Sequence, residues 1–98
     1  MPDTDHLQHL CERLAARIRA EFVTFEGHTV RVDAGDAGMI YVAIRDAKRE
    51  VELGEELSSQ LESLLERELD DEPEQLDFAI SLGSTNKDLL LQIEVREV

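Results

Sequence analysis

The chain has 98 residues, of which 42% are hydrophobic, with one cysteine and a formal net charge of −13. This length predicts one domain, residues 1–98, with a modest core, and the composition excludes a disordered chain and an internal disulfide framework. The charge argues against direct binding to nucleic acid or an anionic membrane, and no apolar stretch approaches the ~20 residues of a membrane span. The acidic start "MPDTDHLQHL" is unlike a signal peptide, so we expect a cytoplasmic protein.

The N-terminal segment predicts an amphipathic helix. Asp3 or Thr4 can cap its start, and the β-branched and aromatic segment "FVTFEGHTVRV" ends it near Glu21. Its apolar residues recur every three or four positions and are Leu7, Leu10, Cys11, Leu14, Ala15, Ile18 and Phe22. Three strands are expected to follow, at about 22–26, 28–33 and 39–45.

The segment "VDAGDAG" lies between two of these apolar runs and predicts the turn of a β-hairpin. Folding the strands about it places Val30 opposite Val42, with the apolar side chains of both strands on one face. Gly35 and Gly38 are expected to supply positive φ in the turn. Its two aspartates are too few for a calcium loop, and they lie where a phosphate site needs positive charge, so we expect a plain turn.

The second half of the chain repeats this pattern about fifty residues later. A polar connection with a short extended piece at 51–53 leads to a helix from about Gly54 to Asp71, which Pro73 should stop. The apolar stripe of this helix consists of Leu57, Leu61, Leu64, Leu65 and Leu69. Two alternating strands follow, and folding them about "GSTNK" places Ile80 opposite Leu91.

These elements predict an α+β fold in the order α-β-β-β-α-β-β, in which two helices pack on one face of a single antiparallel sheet of four to five strands. An αββ duplication would account for the repeated pattern. The other face of the sheet would be half apolar, as a dimer interface could be, and Arg31, Tyr41 and Leu90 are its candidate partner-binding residues. That face would carry Thr29, Arg31, Tyr41, Ala43, Asp77, Ala79, Leu90, Gln92 and Glu94.

The second helix concentrates the negative charge. From Glu50 to Glu74 the chain has eleven acidic residues and one basic residue, a net charge of −10. Four of the acids fall opposite the leucines and are candidate partner-binding residues: Glu55, Glu62, Glu66 and Asp70. They form either a solvated face adapted to high salt or a docking surface for a basic partner. Glu68 falls inside the leucine stripe, so the end of the helix is expected to project beyond the sheet or to meet another chain.

No metal site, cofactor site or catalytic constellation is predicted. His6 and His9 lie on one side of the first helix, whereas Cys11 lies on its apolar stripe, so the three cannot converge on zinc. The chain lacks a Gly-x-Ser-x-Gly nucleophile motif. Residues 83–88, with Ser84 and Lys87, are the one candidate site for a small-substrate enzyme, although such a loop is more often a plain connection.

The composition resembles that of proteins from salt-loving archaea, because acids are in excess and the ten bases are eight arginines and two lysines. The small size, low pI and element order also resemble the chaperones of type III secretion systems, which dimerise and hold client segments. The chain departs from that family by ending in a strand instead of a final helix. We expect a non-enzymatic binding or assembly module of a halophile that forms a homo-oligomer, most simply a dimer, with a secretion-type chaperone and an enzyme as the alternatives.

Overall fold

A computed structural model describes residues 2–36, 38–72 and 75–98. It has the predicted class and element order, with two helices on one face of a five-stranded antiparallel sheet. The helices are α1 (Pro2–Glu21) and α2 (Val51–Asp70). The strands are β1 (Thr24–Phe25), β2 (His28–Ala34), β3 (Met39–Ile44), β4 (Leu76–Ser84) and β5 (Leu89–Glu97), in the sheet order β1-β2-β3-β5-β4.

The core lies between the helices and one face of the sheet. Helix α1 packs mainly on β2, and α2 packs on β4 and β5. The alternation of side chains along each strand puts one apolar set toward the helices, and the predicted leucine stripe of α2 is buried against it. The strand residues of this core are Val30, Val32, Ile40, Val42, Ile44, Leu89, Leu91, Ile93 and Val95.

Both hairpins are shifted by two residues from the predicted register. Val30 pairs with Ile44 instead of Val42, and Ile80 pairs with Ile93 instead of Leu91. The predicted pairings were wrong because residues two positions apart share a face, so that the apolar pattern fits either register; the observed strands leave only 35–38 and 85–88 between them. Since side chains alternate with a period of two, the shift keeps every side chain on its predicted face.

The hairpin turn after β2 needs its two glycines for different reasons. Gly38 has a positive φ of 81°, as expected, and a Cβ there would collide with the backbone oxygen of Val95. Gly35 does not have the positive φ that the sequence predicted. The ring of Tyr41 instead lies over it, 2.5 Å from where a Cβ would be. The turn is therefore a hairpin connection that also packs against the ring of Tyr41.

Three helix boundaries differ from the predictions. Helix α1 begins at Pro2, before both residues expected to cap it. Residues 51–53 form the first turn of α2 instead of an extended piece, and the helix ends at Asp70; Pro73, expected to stop it, lies outside the described residues. No helix within the described ranges is long and apolar enough to cross a bilayer.

The two αββ halves occupy equivalent positions in the sheet. Strands β3 and β5 lie antiparallel at its centre, and β2 and β4 flank them on either side. The starts of β3 and β5, Met39 and Leu89, are fifty positions apart. The sheet therefore has an approximate twofold relation between its halves. Strand β1 breaks this relation, because it pairs with the outer edge of β2 only.

Candidate protein-interaction surfaces

The sheet face that points away from both helices carries the side chains predicted for it, and we call it the open sheet face. Arg31, Ala43 and Leu90 form one row across β2, β3 and β5, and Tyr41 and Gln92 lie in the next row. Tyr41, Ala43 and Leu90 are half-buried by their neighbours alone, since no described element covers this face. Its centre is therefore apolar and its surroundings are polar.

The open sheet face is almost neutral in a strongly acidic protein. It carries two arginines and three acids, a net charge of −1: Arg31, Arg96, Asp33, Asp77 and Glu94. Four of these form ion pairs within the face, Arg31 with Asp33 at 3.1 Å and Arg96 with Glu94 at 3.8 Å. The charge of the molecule is therefore located elsewhere.

The four acids predicted as a docking surface lie on α2, on the other side of the sheet from Arg31, Tyr41 and Leu90. The structure thus divides the seven predicted site residues between two separate surfaces. Glu55, Glu62, Glu66 and Asp70 are all exposed, and we call them the acidic flank. Within the described residues none of them forms an ion pair.

Two residues of the acidic flank, Glu66 and Asp70, lie beside β4, whereas another side of α2 faces α1. Glu68 pairs with Arg17 of α1 at 3.0 Å, and Glu72, after α2, pairs with Arg13. Glu68 thus meets the basic side of α1, and this pair accounts for an acid inside the leucine stripe without a second chain. Glu68 and Glu72 are therefore balanced by arginines of the same chain, whereas the acidic flank has no such ion pairs among the described residues.

An apolar strip on β4 lies beside the acidic flank, and the sequence analysis missed it as a surface. Its residues are Leu76, Phe78, Ile80 and Leu82, which point to the helix side but are only partly buried. Leu82 is 40% exposed. Glu66 and Asp70 line an open cleft of about 450 Å³ together with Leu76 and Phe78. The missing information was the strand order, which makes β4 an edge strand that α2 does not fully cover.

The histidines and the cysteine do not form a site. His6 and His9 are exposed and Cys11 is fully buried, and burial raises the pKa of its thiol to about 11. The ring of His28 contacts the Arg45 carbonyl at 2.9 Å and Glu50 at 2.8 Å. Across the described part of the chain, no group of three or more histidine, cysteine or acidic side chains is placed to hold a metal ion.

The loop considered as an enzyme site is fully on the surface. Ser84 ends β4, and Ser84 and Lys87 are both exposed. Backbone bonds hold the loop against the connection after β3, with Lys48 N–H donating to the Lys87 carbonyl at 3.0 Å. Among the residues that the structure describes, no side chain forms a hydrogen bond with the Ser84 hydroxyl, which a nucleophilic serine needs from its base.

Comparisons with family models, curated proteins and solved structures find no significant match to the chain. The function is therefore inferred from the two surfaces themselves.

Proposed function

We propose that this protein is a non-enzymatic binding or assembly module that works as a homodimer in the cytoplasm of a salt-loving organism. The observation that supports the proposal is the open sheet face, an apolar centre around Tyr41, Ala43 and Leu90 that no described element covers. Interfaces commonly combine such a centre with a polar rim.

A second copy of the chain is the occupant that this face fits best. The five strands have 2, 7, 6, 9 and 9 residues. At ~4.8 Å between strands and ~3.3 Å per residue they present about 520 Å² of flat area, so that two copies together reach the ~1,000 Å² that a biological interface needs. Two molecules of charge −13 repel each other. They approach with the least repulsion through a face whose own charge is −1, and this favours contact there over contact through α2.

The test is the oligomeric state in 2 M KCl with and without Leu90→Arg. We expect the unmodified protein to sediment as a dimer at micromolar concentration and the variant to sediment as a monomer, because a buried arginine would lack a partner at the centre of the interface. Val23→Arg is the matched control, since Val23 is 66% exposed and lies outside this face. A single monomeric species for the unmodified protein would refute the dimer.

The secretion-type chaperone remains the second candidate, because an exposed apolar strip on β4 is a surface that could hold a client segment. Its test is co-purification of a disordered client with the full chain.

A further inference from the structure

We infer that the outer edge of β4 binds an extended, basic segment of a partner protein, which joins the sheet as an added strand. The inference rests on the proposed protein-binding function and names the chemistry of a partner for it. It uses a surface separate from the open sheet face, so the dimer and this partner can be bound together.

The backbone of β4 is available at its outer edge. Val98 N–H donates to the Gln75 carbonyl and Thr85 N–H to the Asp88 carbonyl, which fixes the phase of the β4–β5 ladder. Since bonded and outward-pointing residues alternate in an antiparallel pair, the groups of Leu76, Phe78, Ile80, Leu82 and Ser84 point outward. The one outward group with a partner among the described residues is the N–H of Phe78, which donates to the carboxylate of Asp77 at 2.9 Å.

At the opposite edge of the sheet, unlike at β4, outward-pointing backbone groups of β2 already have hydrogen-bond partners. There, Val30 N–H donates to the Val23 carbonyl at 3.1 Å beside strand β1, and the Arg19 guanidinium donates to the Val32 carbonyl at 2.6 Å. Proteins usually protect an exposed edge with lysine, proline or a bulge, yet β4 is nine residues long and reads LDFAISLGS. By the approximate twofold relation, a strand added to β4 would take the position that β1 takes beside β2.

The side chains around the outer edge of β4 favour a partner segment with basic residues. The residues with outward-pointing backbone groups include those of the apolar strip, so an added strand would lie beside Phe78, Ile80 and Leu82. Helix α2 runs along β4 in the opposite direction, with Gly54 against Leu82, and Glu66 and Asp70 of its acidic flank line a cleft together with Phe78 of the strip. Arginine or lysine at alternate positions of the added strand would cover the strip with its methylene groups and reach these carboxylates.

Charge also argues against a second copy of the chain at this edge. Pairing β4 with β4 of another molecule would bring two acidic flanks, four carboxylates each, to the same side of the joined sheet. A basic segment neutralises these carboxylates instead. Backbone hydrogen bonds and apolar contacts also contribute to the binding free energy, and high salt does not remove that contribution.

The probe is a synthetic peptide as long as β4, nine residues, with arginine alternating with valine and threonine. We expect it to bind the full-length protein in 0.1 M KCl at least about tenfold more tightly than the same peptide with glutamate for arginine. A third peptide keeps the arginines but carries N-methyl groups on the backbone nitrogens of the edge that would face β4. We expect this peptide to lose binding. Equal binding of the methylated peptide, which would show that these N–H groups donate no hydrogen bond to β4, or no binding of the first peptide, would overturn the inference.

Two pairs of protein variants locate the site. Leu82→Pro removes an N–H that points outward and should reduce affinity about tenfold, whereas Leu82→Thr keeps the N–H and should retain most of it. Glu66→Lys should weaken binding several-fold, and Glu56→Lys is its matched control on the exposed face of the same helix. Equal affinities within either pair would contradict the proposed location.

The Leu90→Arg variant separates this inference from the dimer. Unchanged peptide binding by a protein that is monomeric throughout refutes only the dimer. A dimer that binds no peptide refutes only the strand addition.

Discussion

Cys11 shows at the scale of a single residue why this chain has no nucleophilic thiol. It lies on the buried side of α1 and is fully enclosed, in contact with the apolar core. Removal of the thiol from water disfavours the charged thiolate, and this raises its pKa from 9.0 to about 11. At neutral pH the side chain is therefore a small, uncharged part of the core.

The raised pKa of Cys11 predicts a loss of stability in alkali. The unfolded thiol ionises near pH 9.0 and the folded one near 11, so its contribution is fully present below 9.0 and is lost as the pH rises to about 11. We expect the difference in unfolding free energy between the unmodified protein and Cys11→Ala to shrink by about 2 kcal/mol over this interval. Urea unfolding under reducing conditions measures it. A difference that is constant up to pH 11 would show that the thiol ionises freely in the fold.

At the scale of the elements, the periodicity of apolar residues predicts which face a side chain lies on better than it predicts which residue pairs with it across the sheet. The pattern of apolar residues identified both helices, the strands and the side chains of the open sheet face, because each depends only on local spacing. The registers were both wrong by two residues, since Val42 and Ile44 are equally suitable neighbours for Val30 on that face. The apolar pattern therefore does not distinguish the two registers.

The register of the β4–β5 hairpin can be tested with engineered disulfides in a Cys11→Ala background. Ser81 and Gln92 are directly opposite on the open sheet face, where Cα atoms are about 5.5 Å apart and a disulfide can form. Ser81 and Leu90 are diagonal neighbours about 7–8 Å apart. We expect Ser81→Cys with Gln92→Cys to oxidise readily and Ser81→Cys with Leu90→Cys to retain free thiols, as counted by mass spectrometry after alkylation. The reverse result would restore the register predicted from the sequence.

The exposure of the apolar strip beside the acidic flank could not be predicted from the sequence, because it depends on the order of the strands. Leu76, Phe78 and Ile80 alternate as any half-buried strand does, and Glu66 follows an ordinary helical spacing. Only when β5 pairs with β3 does β4 become an edge strand, and only then does the acidic flank lie beside it. The four acids are exposed, as their helical spacing predicts, but that spacing does not indicate which strand lies beside them.

At the scale of the whole molecule, the charge of −13 is divided among surfaces with different environments. Between the helices, acids are paired with Arg13 and Arg17. The open sheet face is nearly neutral. The acidic flank has no ion-pair partner among the described residues, so its carboxylates, spaced by four or seven positions, repel one another. Salt should therefore act mainly on this last group, and not in proportion to the total charge.

Two triple variants with the same net charge of −10 test this division. The first neutralises part of the acidic flank with Glu55→Gln, Glu62→Gln and Glu66→Gln. The second removes paired acids with Glu21→Gln, Glu68→Gln and Glu72→Gln, all of which contact arginines of α1.

In 0.1 M KCl, where charges interact over about 10 Å, we expect the first variant to be more stable than the unmodified protein by up to about 1 kcal/mol and the second to be less stable. In 3 M KCl, where the screening length is below about 3 Å, the two differences should nearly vanish. Urea unfolding followed by far-UV circular dichroism measures both. If both variants gain equal stability in low salt, only the total charge matters, and the repulsion is not concentrated on the flank beside β4.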